Sequence, residues 1–250
     1  MKTKSLQQPA IILIRPQMGE NIGAAARAMW NFGLDHMRIV DPRDGWPSQK
    51  AVVMASGAAR LLDEARLFET TADALADTTF VLATTARPRD LTKPVFSPEY
   101  AKAVAARRIA AGQTVAVMFG PERAGLENDD VIRANALISV PVNSQFPSLN
   151  LAQCVLLMSY EWQRQRQVVE ITPETIDMTK VEWASGLEVE KLAENFEQRL
   201  DTAGFFFPEA KAASMKMHLR NLWSRMPLTK VDVQMLHGIM RQMVRWKERG

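Results

Sequence analysis

Three short segments concentrate residue types that hold ligands, and each follows a run suited to a β-strand. The first is Arg15-Pro-Gln-Met-Gly-Glu-Asn-Ile-Gly-Ala-Ala-Ala-Arg27, where Asn21 and Arg27 stand out from Gly and Ala. Small residues allow close helix packing, and a lone Arg among them is either snorkelling to solvent or held inside a site. The second is Phe119-Gly-Pro-Glu-Arg-Ala-Gly-Leu126. Its glycines, Gly120 and Gly125, let backbone N–H and C=O groups come close to a ligand. Glu122 either fixes this loop or forms a surface pair with Arg123. The third runs Ile138-Ser-Val-Pro-Val-Asn-Ser-Gln-Phe-Pro-Ser-Leu-Asn-Leu-Ala152, a polar loop entering a helix at Leu151. Ser148 suits the N-cap of that helix, and Asn150 falls in its first turn. Ligands of α/β proteins gather at such strand ends.

Missing motifs narrow the chemistry. Gly19-Glu-Asn-Ile-Gly23 lacks the Gly-x-Gly turn of the dinucleotide fingerprint, so a nicotinamide dehydrogenase is not expected. There is no P-loop and no Gly-x-Ser-x-Gly nucleophile elbow. With one cysteine, Cys154, and three scattered histidines, His36, His218 and His237, no zinc site is expected. Cys154 and His36 read as core or surface residues without a role.

The elements that must position these segments alternate. Continuous apolar runs at Ala10–Ile14, Met37–Val40, Thr79–Ala83, Thr114–Phe119 and Leu137–Val140 predict strands buried on both faces. Between them, helical patterns cover Ile22–Phe32, Ala59–Phe68, Pro98–Arg108, Asp129–Ala134 and Leu151–Gln165. This is an α/β layer with a mostly parallel sheet. From Pro173 onward no strand is evident. Helical stripes recur at Glu188–Thr202, at Ala210–Arg225 and from an N-cap at Thr229 through Trp246. The expected organisation is a domain over 1–168, a polar linker over 169–186 and a helical extension over 187–250.

Composition sets outer bounds. The 250 residues are 47% hydrophobic and 24% charged, which excludes a disordered tail or a disulfide scaffold. No apolar run reaches the roughly 18–20 residues that span a membrane, and the first residues lack a signal-peptide pattern. The cytoplasm is the expected location. The formal charge of +3 looks mild. It conceals a segment of net −7 over Val168–Ala210 and one of net +7 over Lys211–Gly250. The basic stretch is either a polyanion contact or one half of an acid-on-base helix packing.

Order and spacing of the three segments closely resemble the SPOUT methyltransferase superfamily in its SpoU/TrmH branch. Asn21-Ile-Gly-Ala-Ala-Ala-Arg27, Phe119-Gly-Pro-Glu-Arg-Ala-Gly-Leu126 and Val140-Pro…Ser148-Leu-Asn-Leu-Ala152 are similar to its three motifs. Met215-Lys-Met-His-Leu-Arg-Asn-Leu-Trp-Ser-Arg-Met-Pro227 with Leu236-His-Gly-Ile-Met240 resembles the helical extension of the TrmJ group. Thr84-Thr-Ala-Arg-Pro-Arg-Asp90 looks like that group's arginine-bearing loop.

The resemblance implies a trefoil-knotted α/β fold, S-adenosylmethionine as methyl donor without a metal, and a homodimer with its active site at the subunit interface. It implies 2′-O-methylation of tRNA at cytidine or uridine 32 of the anticodon loop, with no DNA and no membrane partner. By carry-over, Arg27, Asn21, Glu122 and Ser148 serve catalysis. Thr84, Thr85, Gly120, Val140, Leu149, Asn150 and Ala152 hold the donor. Arg15, Arg87, Arg89, Arg123, Lys216, Arg220 and Arg225 grip RNA through phosphates. Two rivals stay open: a 2′-O-methyltransferase acting on ribosomal RNA or another tRNA nucleotide, and a catalytically silent RNA-binding protein of the same fold.

Overall fold

The computed structural model describes residues 7–85, 92–168 and 181–247. Seven strands form one sheet: β1 (Ala10–Ile14), β2 (Met37–Val40), β3 (Arg66–Phe68), β4 (Phe80–Thr84), β5 (Val95–Phe96), β6 (Val115–Phe119) and β7 (Ala136–Ile138). Their order is β3-β2-β1-β6-β4-β7-β5, and every pairing is parallel. Strands β1, β2 and β6 are wholly buried because helices cover both faces, and apolar throughout except for Arg38 of β2, which pairs with Asp77. On one face lie Ile11, Leu13, Ile39, Leu82, Val117 and Ile138. Over them pack α1 (Gly19–Asn31), α2 (Gln49–Ala55), α3 (Ala59–Asp63), α5 (Pro98–Ala110) and α7 (Leu151–Val168). On the other face, Ile12, Ile14, Val81, Met118 and Leu137 meet α4 (Thr71–Leu75) and α6 (Asn128–Val131).

Three helices follow: α8 (Gly186–Thr202), α9 (Glu209–Arg225) and α10 (Lys230–Lys247). They bury Leu192, Ala193, Trp223, Leu228 and Val233 in a small core of their own, with Phe196 tilted against Trp223 at 4.7 Å between ring centres. Trp223 is therefore a core residue and not an exposed base platform. This bundle is bonded to the sheet domain. The Gly186 amide donates to the Thr78 carbonyl at 2.7 Å, and a Cβ at Gly186 would lie 2.7 Å from the Leu75 carbonyl oxygen. Lys93 Nζ donates to Ser224 Oγ at 2.7 Å and to the Ile132 carbonyl at 3.1 Å, and Asn135 Nδ2 reaches the Ser224 carbonyl.

The opposed charges of the last third face one another. Lys216 pairs with Asp201 at 3.2 Å, and Arg220 with Glu197 at 2.8 Å and Glu190 at 3.4 Å. Lys230 meets Glu182 at 3.4 Å, and Arg133 of the sheet domain meets Glu190. For Lys216 and Arg220 the acid-on-base packing is thus what the structure contains.

One expected helix ends early. The pattern over Ala59–Phe68 stops at Asp63, and Arg66–Phe68 joins the sheet as edge strand β3 against β2. Short apolar runs carry both periods, and the open edge of β2 decides this one. Two short helices went unread although both have sequence caps. Ser48 accepts from the Ala51 amide, and Thr70 from the Asp73 amide.

Candidate active site

The sheet order explains why segments about 100 residues apart meet. Strands β1, β6, β4 and β7 are consecutive in the sheet, so the loops leaving their C-terminal ends are neighbours. Those loops carry residues 15–18, 120–126, 84–85 and 139–150. Between them opens a cleft of about 210 Å³. Thr84, Thr85, Gly120, Val140 and Leu149 line it, together with Glu122, Arg123 and Ser148. Asn150 and Ala152 stand just behind that lining, at the start of α7.

Gly120 has a geometric reason. A Cβ there would lie 2.2 Å from the Leu126 amide nitrogen and 2.3 Å from the Gly125 carbonyl carbon. Only glycine lets the loop fold back on itself this tightly, with its backbone turned to the cleft. Gly125 supplies the return with φ of +68°. Thr84 Oγ1 donates to the Met118 carbonyl at 3.0 Å, and the Thr85 amide to the Ile138 carbonyl at 2.9 Å. The cleft wall is thereby sewn to its two neighbouring strands.

A hydrogen-bonded relay joins the three segments. The Glu122 carboxylate accepts from the Gln17 amide at 2.8 Å, the Met18 amide at 3.2 Å and Asn21 Nδ2 at 2.8 Å. Helix α1 has no cap of its own, since Met18 offers no side-chain acceptor. Glu122, 104 residues away, instead binds the amide of the N-cap residue Met18 and places an anion at the positive end of the helix. Asn21 Oδ1 in turn accepts from Asn150 Nδ2 at 3.0 Å. Asn150 Oδ1 accepts from the Ala152 amide at 2.9 Å and the Gln153 amide at 3.3 Å. Asn150, rather than Ser148, is therefore the N-cap of α7. Ser148 is exposed in the cleft wall with no hydrogen-bond partner among the described residues. The open choice for Glu122 resolves to fixing the loop, because Arg123 is exposed and not paired with it.

Arg27 projects from α1 into solvent and has no ion-pair partner among the described residues. The small residues before it bring α1 onto α2: a Cβ at Gly23 would lie 2.1 Å from the Ala51 carbonyl oxygen. Arg27 follows Asn21 by six residues, roughly 9 Å along the helix axis. Arg27 is not among the residues that line the cleft. Trp30, three residues further along α1, is exposed, as are Leu156, Leu157 and Tyr160 of α7, the helix packed against α1.

The other arginines separate into two kinds. Arg15, expected among the RNA contacts, is turned inward to Asp130 and to Glu127 at 3.4 Å, and Asp130 also accepts from Thr71 at 2.7 Å. Arg225 is exposed without an ion pair among the described residues. Arg87 and Arg89, most of the expected linker, at 169–180, and the side chain of Trp246 lie outside the described residues.

Cys154, read from the sequence as a core or surface residue without a role, lines the cleft one turn into α7. Burial pushes its thiol up to about 11, so it is a wall and not a nucleophile. Behind it Lys102 is wholly buried, and its amine has no hydrogen-bond partner among the described residues. Burial lowers that amine to about 7. The only sequence signal for either was an unremarked Lys on the apolar face of α5. No cluster of His, Cys, Asp and Glu that could hold a metal exists among the described residues.

Residues 8–160 match the SpoU rRNA Methylase family. Over 243 residues the chain is 32% identical to the tRNA (cytidine/uridine/adenosine-2′-O-)-methyltransferase TrmJ of Pseudomonas aeruginosa, covering 95% of this chain and 94% of that protein. The crystal structure of TrmJ from Z. mobilis ZM4 is similar with a TM-score of 0.83 at 46% identity, over 94% of this chain and 99% of that one. A structure concerned with the 2-OH methylation of C/U34 on tRNA is similar with a TM-score of 0.50 at 26% identity, over 63% of this chain and 95% of that one. Motifs, architecture and near full-length identity agree, and the chain belongs to the SpoU rRNA Methylase family.

Proposed function

We propose that this chain methylates the ribose 2′-hydroxyl of a tRNA, with S-adenosylmethionine as donor, at cytidine or uridine 32 of the anticodon loop. The observation that carries this reading is the relay Glu122–Asn21–Asn150, which ties three distant loops around one cleft. Full-length relatives named as tRNA 2′-O-methyltransferases support the substrate.

The cleft suits the donor. Its Gly120 loop presents bare backbone, Val140 and Leu149 offer apolar walls for a flat ring, and Thr84 and Thr85 bound its edge. When bound, the donor supplies an electrophilic methyl on a sulfonium, which a ribose 2′-oxygen takes in a single displacement. This chain's part is alignment and charge. Ser148 offers a free hydroxyl at the cleft wall to the incoming ribose. Glu122 and Asn21 serve by holding the loops that shape the cleft. Arg27 brings a planar guanidinium with five N–H donors and no acceptor. Its role is to position the ribose-phosphate and stabilise the developing alkoxide.

Because Arg27 stands away from its own cleft, we place it at the cleft of a second copy. The exposed Trp30 of α1 and Leu156, Leu157 and Tyr160 of α7 support a homodimer. Arg123 and Arg225, exposed and without ion-pair partners among the described residues, are the described phosphate contacts we favour. We also retain the knotted threading and the cytoplasmic location as part of this reading.

A second target, another anticodon-loop nucleotide, is favoured by the likeness to the protein studied for C/U34. Incubating the full chain with S-adenosylmethionine and unmodified tRNA transcripts, then mapping the methylated ribose, tests both. Methylation at 32 supports the first, at 34 the second. Transfer to ribosomal RNA alone, or no transfer at all, overturns the proposal.

A further inference from the structure

We infer that Phe146 holds the substrate by stacking on the base whose ribose enters the cleft. This rests on the proposed ribose methylation. Phe146 is 75% exposed, at the tip of the loop that leads into α7. An aromatic ring held out in water is unfavourable by its burial energy unless something covers it. Its backbone is not loose. The Phe146 amide donates to the Asn143 carbonyl at 2.9 Å, and the Gln145 amide to Asn143 Oδ1 at 3.0 Å. Pro147 follows with its fixed φ. The ring is thus presented from a tied turn, which keeps the entropy of ordering low.

Its place is the second observation. Val142 and Pro147, on either side of the tip, both line the cleft, as do Ser148 and Arg123. Around one mouth the chain therefore offers a hydroxyl, an exposed guanidinium and an exposed aromatic face. Those match ribose, phosphate and base, the three parts of a single nucleotide. A nucleotide whose 2′-oxygen reaches into a cleft leaves its neighbours' stack, and its bare base face takes an aromatic side chain in exchange.

The test uses the full chain and unmodified tRNA transcripts, with Phe146→Ala, Phe146→Leu and Phe146→Tyr. Initial rates give kcat and KM for tRNA, calorimetry gives the donor Kd, and sedimentation gives the oligomeric state. The expected result is a KM for tRNA raised about tenfold or more in Phe146→Ala and Phe146→Leu, the weight of one base–aromatic stack. Phe146→Tyr should stay within about threefold of the parent, with donor Kd and sedimentation unchanged throughout. Rescue by Leu equal to that by Tyr overturns the inference, because volume and not a π-face would then suffice. So does a Phe146→Ala enzyme with the parent's KM, or one whose sedimentation changes, which assigns the ring to a subunit contact. A parent chain that methylates no transcript defeats the proposed function itself, and the inference with it.

Discussion

Removing the Glu122 carboxylate should loosen the whole site, and the size of the effect follows from the donors it leaves behind. In Glu122→Ala three N–H groups lose their acceptor: the amides of Gln17 and Met18 and the Asn21 side chain. Met18 is exposed, so water takes over its amide. Gln17 and Asn21 are half-buried, and each orphaned donor costs about 1–3 kcal/mol. Loss of an anion at the start of α1 adds about 0.3–1 kcal/mol. The sum is roughly 2–7 kcal/mol, which for a chain of this size lowers Tm by about 5–28 °C. Thermal unfolding followed by circular dichroism reads this directly. Calorimetric titration of S-adenosylmethionine reads the second consequence, a donor affinity reduced at least tenfold as the Gly120 loop comes free. Glu122→Gln, which keeps one carbonyl oxygen for these donors, should fall between. A Glu122→Ala protein melting within about 2 °C of the parent refutes the clamp.

Three further outcomes are expected. Arg27→Ala should retain donor affinity while lowering turnover on tRNA at least about 10²-fold, by analogy with loss of one oxyanion donor. Parent-like turnover removes Arg27 from the reaction. Gly120→Ala should abolish measurable donor binding, because its Cβ would meet backbone at 2.2 Å; an unchanged Kd shows that the loop is free to move. Lys102→Met should raise stability. The folded chain holds the Lys102 proton only up to about pH 7, while the unfolded chain holds it to about 10.5. Between those values the unfolded state binds more protons, so stability rises with pH across that window, and the full penalty persists below it. Lys102→Met should flatten that slope and raise Tm at pH 6.5 by about 3 °C or more; a lower Tm there shows that the amine is satisfied.

Much of this was legible in the chain because the signals were local. Strands β1 and β2 were read to the residue, β1 from an unbroken apolar run and β2 from one interrupted only by Arg38. The three polar segments were visible as departures from that pattern. What escaped reading depends on neighbours far away in sequence. Nothing local says that Glu122 binds the Met18 amide at the start of α1, or that Asn150 caps α7 while Ser148 stays free. Arg15 looked like any exposed base, and only the fold brings Asp130 beneath it. The charge dipole of the last third was plain, yet its resolution into pairs such as Arg220–Glu197 required knowing that α8 and α9 lie side by side.

The strand order also governs how the protein can be made. Strands β1 and β4 are complete by residue 84, but β6 lies between them and arrives only at residues 115–119. The same holds for β7, which enters between β4 and β5 after both exist. During synthesis the nascent chain must carry unpaired parallel strands until their partner emerges from the ribosome. Such non-local pairing is slow and leaves edges open to aggregation. The cleft cannot close early, because two of the four strands whose loops form it, β6 and β7, are the last to be inserted. A chain released before Leu151 would therefore be both inactive and sticky, which makes translation speed and chaperone access determinants of yield for this fold.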